Sequence, residues 1–257
     1  LAGIGMALGL MQYVLGQKHL KHVGNFLGTS ENEEEKAASK RPLSKIEKDR
    51  VVVLFISFLL VIVFWGAFEQ AGGLMNIYAS EKTNRMLMGW EVPASWFQSL
   101  NAMFIIIFGT IVAAYWAKRK LNGKLSTSLF KMILGLIIMG AGFFFMTGAS
   151  MQYDDGGSSA MYWLVLAYLF HTIGELCLSP VALSYITKLS PVKYGSIMMG
   201  VYFAMTGFGN KLAGLLGESA SELGEYTIFT GIAVFCVLFG LLVMVFRNKL
   251  EKLIEKS

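Results

Sequence analysis

The chain has 257 residues with a net charge of +5; 55% of them are hydrophobic, only 15% are charged, and the mean hydropathy is +0.57. A soluble domain usually carries about a quarter charged residues. Here the charges lie in short clusters between long uncharged stretches, which excludes an ordinary soluble fold and a nucleic-acid-binding surface. Because hydrocarbon cannot solvate free backbone groups, we expect an all-α integral membrane protein surrounded by the lipid bilayer.

Seven apolar segments approach the roughly 20 residues that a membrane-spanning helix needs. In chain order they cover residues 1–17, 51–78, 92–117, 132–149, 158–187, 194–216 and 226–246. The first is predicted to be a truncated transmembrane helix, and its start without a methionine suggests a fragment of a longer protein. A polar linker follows at residues 18–50, with the acidic run ENEEEK at Glu31–Lys36. Residues 51–257 form the predicted C-terminal bundle and a short tail.

The basic residues predict how the bundle is oriented, because short loops rich in lysine and arginine stay on the cytoplasmic side. One set of alternate loops, with the tail, contains Lys118, Arg119, Lys120, Lys124, Lys131, Lys188, Lys193, Arg247, Lys249 and Lys252. The opposite loops have Lys82 and Arg85 as their basic residues, and they carry Glu81, Glu91, Asp154, Asp155, Glu218, Glu222 and Glu225. The linker and the C terminus are therefore predicted to be cytoplasmic.

Glu69 lies toward the outer end of the second segment, beside Gln70, Gly72 and Gly73. A carboxylate at that depth is costly unless it is paired, protonated or hydrated. The glycine pair allows the backbone to loosen or to pack closely there. We prefer a salt bridge between Glu69 and a basic residue outside this sequence, with a purely structural local salt bridge as the alternative.

Glu175 lies near the middle of the fifth segment, where desolvation disfavours the charged carboxylate and makes proton exchange possible. His171 falls on the same helical face four residues earlier. Ser179 follows four residues later, and Pro180 favours a kink. We interpret this helix as a moving element beside a water-filled cavity, with a structural ion pair of Glu175 as the alternative. His171 is either a packing histidine or a proton relay.

The remaining polar and small residues of the segments give weaker signals. Asn101 either bonds a neighbouring helix or faces a polar ligand, and for Trp65, Tyr202 and Thr206 ordinary packing is the simplest interpretation. Glycines in the fourth and sixth segments favour close helix packing, with a gating hinge as the alternative. They are Gly135, Gly140, Gly142, Gly195, Gly200, Gly207, Gly209 and Gly214.

Three separated motifs closely resemble the proton-dependent oligopeptide transporter family of the major facilitator superfamily. They are FEQAGG at 68–73, QSLN at 98–101, and HTIGELCLSPVALSYITKLSPVKYGSIMMGVYFAMTGFGNKLAG at 171–214. The resemblance covers essentially the whole chain. It implies that residues from about Val51 form helices 7–12, the C-terminal six-helix bundle of the superfamily. It also implies that residues 1–17 are the second of two extra helices found in bacterial members, and the short loop at 149–158 fits those members.

The resemblance implies proton-coupled symport of di- and tripeptides into the cell by alternating access, in the bacterial inner membrane. The proton gradient would drive it without a cofactor or metal. Glu175 would receive the peptide amino terminus, aided by Asn101. Residues expected around the peptide are Trp65, Ser179, Tyr202 and Thr206, and Tyr202 stands where the family often has tryptophan, so side-chain preference stays open.

Proton coupling and gating are expected, by the same resemblance, to involve Glu69, Glu175 and His171. Glu69 would pair with an arginine of the missing N-terminal bundle. Alternatives are a family member that carries nitrate, amino acids or a drug-like compound, and a channel-like or purely structural bundle. An enzyme is the weakest alternative, since no nucleotide-binding loop, metal-ligand spacing or nucleophile–base pair stands out, and Cys177 and Cys236 lie in apolar segments.

Overall fold

The computed structural model describes residues 2–16, 42–191 and 194–255. The acidic run of the predicted linker and Lys193 lie outside the described residues. The chain divides into two compact units, residues 1–43 with 191–194 and residues 44–190 with 195–257. In the first unit, helix α1 runs over Ala2–Gly16. Its apolar part, Ala7–Gly16, is shorter than a full membrane span, so its role as a truncated transmembrane helix stays a prediction.

The second unit is built almost entirely from helices. They are α2 (Lys45–Phe68), α3 (Leu74–Glu81), α4 (Trp96–Leu121), α5 (Ser128–Gly156), α6 (Met161–Leu189), α7 (Gly195–Leu223) and α8 (Glu225–Glu255). Strand β1 (Thr83–Asn84) pairs in parallel with β4 (Ser159–Ala160), and β2 (Met86–Leu87) pairs antiparallel with β3 (Trp90–Glu91). The predicted all-α class is therefore confirmed.

Five stretches of the described residues are long and apolar enough to cross a membrane. They are Lys45–Glu81, Trp96–Leu121, Ser128–Gly156, Met161–Leu189 and Glu225–Ile254. Helix α7 has 29 residues but is not among the five, because its glycines, Asn210 and Lys211 lower its hydropathy. It nevertheless forms the helix that the sequence predicted between the fifth and last segments.

Helix α2 begins at Lys45, within the predicted linker. The Ser44 hydroxyl accepts a hydrogen bond from the backbone N–H of Glu47 (3.3 Å), and the Glu47 carboxylate accepts one from the N–H of Ser44 (2.8 Å). This reciprocal pair is a capping box, which satisfies two of the otherwise free donors of a helix start. The first residues of α2 therefore lie in the predicted linker, because hydrophobicity marks the apolar span and not the cap that starts the helix.

Helix α5 packs against α6, α8 and α2, and glycines allow the close approaches. A Cβ atom added at Gly135 would lie 2.7 Å from the Gly174 carbonyl oxygen of α6, and one added at Gly140 would lie 3.0 Å from the Ala233 oxygen of α8. The packing interpretation is thus confirmed for Gly135, Gly140, Gly142 and Gly209. An added Cβ would meet no atom within 4 Å at Gly195, Gly200, Gly207 and Gly214, so packing does not explain those four.

Charged side chains from different helices meet at the two ends of the second unit. At one end, the guanidinium groups of Arg119 (α4) and Arg247 (α8) each lie 5.6 Å from the ring centre of Phe130 (α5). At the other end, the Lys82 ammonium lies 2.7 Å from the Glu225 carboxylate at the start of α8. The basic residues at the end of α4 and at the end of α8 therefore lie together beside the start of α5, and the start of α8 lies beside Lys82.

The Lys82–Glu225 ion pair should stabilise the acidic end. Burial lowers the pKa of Lys82, but the hydrogen bond and charge of Glu225 outweigh it, and the pKa is raised. The pair therefore stabilises the fold below about pH 10, and the stabilisation is lost as the pH rises through the raised pKa. We expect Lys82→Met to lower the Tm of detergent-solubilised protein at neutral pH by about 2–4 °C, equivalent to about 1 kcal/mol.

A double-mutant cycle with Glu225→Gln checks this prediction. The two single variants and the double variant should show a coupling energy at pH 7, and this coupling should shrink as the pH rises through the raised pKa of Lys82, where the lysine loses its charge. Additive effects of the two substitutions at pH 7 would show that the ion pair contributes nothing.

Candidate functional site

The Glu175 carboxylate and the Asn101 amide meet between α6 and α4. Asn101 Nδ2 donates hydrogen bonds to Glu175 Oε2 (2.8 Å) and to Thr172 Oγ1 (3.2 Å). Thr172 is fully buried, and its hydroxyl donates in turn to the Tyr168 carbonyl oxygen (2.8 Å). Glu175 itself is half-buried. The Glu175 carboxylate is thus held by an amide from a neighbouring helix, and a bond to a neighbouring helix was one of the two alternatives given for Asn101.

The contact between α5 and α6 sets the direction of Glu175. An added Cβ at Gly174 would lie 2.7 Å from the Gly135 carbonyl oxygen and 3.2 Å from the Met139 nitrogen. The two backbones therefore meet directly, with Gly174 facing α5. Since consecutive residues of a helix are rotated by about 100°, Glu175 points away from this contact. Its carboxylate reaches α4, and α4 in turn packs mainly on α6.

His171 lies in the packing of α5 against α6, whereas the Glu175 carboxylate reaches α4. The ring is fully buried, its centre lies 4.4 Å from that of Phe143, and Gly142 makes room for it. Four residues correspond to 400° of helix rotation, so the two side chains diverge by about 40° and reach different neighbouring helices. Among the described residues, neither ring nitrogen has a hydrogen-bond partner.

The helix breaks at Glu69, as the neighbouring glycines suggested. Helix α2 ends at Phe68, a 3₁₀ turn covers Glu69–Ala71, and α3 starts at Leu74. The buried Gln70 amide donates to the carbonyl oxygens of Gly66 (3.2 Å) and of Ala213 in α7 (3.0 Å). Gln70 therefore fixes the turn to α7 and satisfies a carbonyl that the broken helix would leave free.

Glu69 is half-buried and lines a cavity of about 470 Å³ between the turn and α7. Its lining combines the polar residues Gln70 and Asn210 and the glycines Gly72, Gly73, Gly214 and Gly217 with the apolar residues Leu74, Ile77 and Ala213. Among the described residues, no basic side chain lines this cavity or forms a salt bridge with Glu69.

A hydrogen bond connects this turn to the Glu175 region. The Tyr168 hydroxyl donates to the Ala71 carbonyl oxygen at the end of the 3₁₀ turn (2.9 Å). The Tyr168 backbone carbonyl also accepts from Thr172, so hydrogen bonds on either side of Tyr168, joined by its covalent side chain, connect the turn to Glu175. Gln70, Tyr168 and Thr172 were not predicted as site residues. Their position in apolar segments was the available signal, since buried polar groups need partners.

The other predicted pocket residues lie on α2, α6 and α7. The ring of Trp65 packs edge-to-face against that of Phe68, with ring centres 5.3 Å apart. A Cβ atom added at Gly209 of α7 would clash with the Trp65 Cβ at 2.8 Å. This contact brings Trp65 to α7, which carries Tyr202 and Thr206.

On α7, Tyr202 is buried and the Thr206 hydroxyl donates to the Tyr202 carbonyl oxygen (3.1 Å). Ser179 is half-buried on α6, one turn after Glu175. These side chains form no direct hydrogen bond to the Asn101–Glu175 pair within the described residues.

The chain is similar to known transport proteins over most of its length. It is 37% identical over 223 residues to Peptide transporter YePEPT of Yersinia enterocolitica, covering 84% of this chain and 43% of that protein. It is 28% identical over 217 residues to the Di-/tripeptide transporter of Lactococcus lactis subsp. cremoris, covering 81% and 43%. The chain thus spans less than half the length of these relatives.

Solved structures share the fold. The crystal structure of peptide transporter POT in complex with sulfate matches with a TM-score of 0.77 and 26% identity, covering 98% of this chain and 53% of that one. A mutant of the same transporter in complex with alafosfalin matches with a TM-score of 0.76. The sequence model of the POT family matches residues 29–228. The chain therefore belongs to the POT family, and its second unit has the fold of a multi-pass membrane transporter.

Proposed function

We propose that this chain is the C-terminal half of a proton-coupled symporter that carries di- and tripeptides into the cell by alternating access. The observation that supports this most directly is the 2.8 Å hydrogen bond between Asn101 and Glu175 in a half-buried site between two helices. The known relatives, whose printed names include peptide and di-/tripeptide transporters, point to the same class of substrate. The proposal involves no enzymatic step and no cofactor, and the proton gradient is the driving force.

In this proposal, Glu175 receives the positively charged amino terminus of the peptide. Asn101 occupies one carboxylate oxygen, Oε2, and none of the described residues donates a hydrogen bond to Oε1. Oε1 is therefore available to an ammonium group, and a charge-assisted hydrogen bond there is about twice as strong as a neutral one. Side-chain positions of the peptide would lie near Trp65, Ser179, Tyr202 and Thr206.

Glu69 serves in this proposal as the gate. Its cavity next to α7 would admit an arginine from the N-terminal bundle, and protonation of the carboxylate would weaken that pair. A change of a few kcal/mol in such an ion pair is sufficient to shift a two-state equilibrium strongly. The contacts of His171 favour the packing role over the relay role, because the groups around the ring are apolar.

We also propose that the protein lies in the bacterial inner membrane with the basic end of the second unit toward the cytoplasm. The gathered basic loops support this orientation, because lysine and arginine are retained on the cytoplasmic side. The linker and the C-terminal tail would then both be cytoplasmic.

Uptake of a dipeptide by the full-length protein in liposomes tests the proposed function. We expect Ala-Ala to accumulate when the interior is made alkaline, and to stop accumulating when a protonophore removes the gradient. Saturable uptake would exclude a channel-like bundle. If Ala-Ala is not taken up and nitrate, an amino acid or a drug-like compound is, the chain belongs to a transporter with that cargo instead.

A further inference from the structure

The break between α2 and α3 depends on a side chain from α6. At the 3₁₀ turn, both Gly72 and Gly73 donate their N–H groups to the Glu69 carbonyl oxygen (3.3 Å each). The Ala71 carbonyl is left without a partner in its own helix and accepts from the Tyr168 hydroxyl at 2.9 Å. A buried carbonyl without a partner costs free energy comparable to a lost hydrogen bond. The turn that carries Glu69 is therefore held in this shape by Tyr168.

Tyr168 is well placed to sense the state of Glu175. It lies seven residues, about two helical turns, before Glu175 on α6, and only 2% of the residue is exposed. Its carbonyl oxygen accepts from Thr172 at 2.8 Å, and Thr172 shares the Asn101 amide with Glu175. If the Asn101 amide bonds Glu175 more tightly or releases it, its hydrogen bond to Thr172 changes as well. The hydrogen bond from Thr172 to the Tyr168 carbonyl then changes, and with it the turn of α6 that orients Tyr168.

We propose that Tyr168 is a positioning residue that couples the occupancy of Glu175 to the position of Glu69. The connection comprises Ala71, Tyr168, Thr172, Asn101 and Glu175, with hydrogen bonds of 2.9, 2.8, 3.2 and 2.8 Å in that order. It joins the carboxylate proposed to bind the peptide amino terminus to the turn proposed to carry the proton-sensitive gate. This inference rests on the proposed peptide–proton symport.

Tyr168→Phe tests the coupling, because it keeps the buried ring and removes the hydroxyl. Two activities are compared in liposomes that contain the full-length protein: Ala-Ala accumulation driven by a proton gradient, and exchange of labelled for unlabelled Ala-Ala without a gradient. We expect accumulation to fall about five- to tenfold, which corresponds to the loss of one buried hydrogen bond. Exchange should change less than about twofold. The pH at which accumulation is half-maximal should also shift.

Tyr185→Phe is the matched control, since Tyr185 is a second buried tyrosine of α6 that lies outside the connection. It should leave the ratio of accumulation to exchange and the pH profile unchanged. If Tyr168→Phe lowers accumulation and exchange in parallel, or if Tyr185→Phe reproduces its pH shift, Tyr168 has a packing role alone and the proposal is overturned.

A second variant, Thr172→Val, removes the link on the other side of Tyr168. It should reproduce the effect of Tyr168→Phe, and the double variant should lose no more than either single variant, because both substitutions interrupt one connection. Additive losses would overturn the single connection. Failure of the unsubstituted protein to transport Ala-Ala, by contrast, would refute the proposed function before the coupling is tested.

Discussion

Glu175→Gln is expected to abolish gradient-driven accumulation of Ala-Ala. The substitution keeps the size of the side chain and a partner for the Asn101 amide, but it removes the negative charge and the exchangeable proton. Hydrogen bonds to charged groups contribute about 1.5–3 kcal/mol, so the KM for a peptide with a free amino terminus should rise about 10- to 100-fold. Accumulation of Ala-Ala in liposomes with an inward proton gradient measures the first effect, and exchange of labelled for unlabelled Ala-Ala without a gradient measures the KM.

Glu222→Gln provides the matched control for this prediction. Glu222 is exposed near the end of α7, at the acidic end of the bundle, and the substitution makes the same chemical change outside the proposed site. It should leave accumulation and KM unchanged. A dipeptide with a blocked amino terminus should already bind weakly to the unsubstituted protein, and Glu175→Gln should add little to that loss. Full accumulation by the Glu175→Gln variant would refute the proposed role of Glu175.

The membrane-spanning helices were predictable because hydrophobicity and charge placement act over whole segments. Their ends were less so, since local hydrogen bonds decide them. The segment predicted to start at Val92 becomes a helix only at Trp96, because Val92 donates to the Arg85 carbonyl and Trp96 to that of Pro93. These loop hydrogen bonds use apolar residues that hydropathy alone assigns to the span.

The site was predictable in part. The sequence did not show how α6 is rotated about its axis. Glu175 stood out as a carboxylate inside an apolar segment, and the family resemblance pointed to Asn101 as its neighbour. Which side chains of α6 face α4 and which face α5 depends on the close contact of Gly174 with Gly135, which involves residues far apart in the sequence. Without that contact, helical spacing alone grouped His171 with Glu175, and it gave no reason to select Thr172.

The break at Glu69 shows the same division between local and tertiary information. Gly72 and Gly73 made a loosened backbone predictable at this position. Two hydrogen bonds that hold the turn come from tertiary packing. Gln70 of the turn donates to the Ala213 carbonyl of α7, and Tyr168 of α6 donates to the Ala71 carbonyl. A local break was therefore visible in the sequence, whereas its hydrogen-bonded connection to Glu175 required the fold.

Gly174→Ala should impair both folding and transport, because the α5–α6 contact directs Glu175. The added methyl group would lie 2.7 Å from the Gly135 carbonyl oxygen, a backbone atom that cannot move without shifting α5. Such overpacking typically costs about 1–3 kcal/mol, which should lower the Tm in detergent by several degrees. The displaced α6 would carry Glu175 away from Asn101, so gradient-driven uptake should fall even at temperatures where the variant stays folded.

Gly231→Ala separates this effect from the general one of replacing a helical glycine. Gly231 lies inside α8, is exposed, and an added Cβ there would meet no atom within 4 Å. Alanine favours a helix over glycine by about 1 kcal/mol, so this variant should be as stable as the unsubstituted protein or more so, with full uptake. Unchanged Tm and uptake in the Gly174→Ala variant would mean that α6 can relax at this contact, and that the direction of Glu175 has another cause.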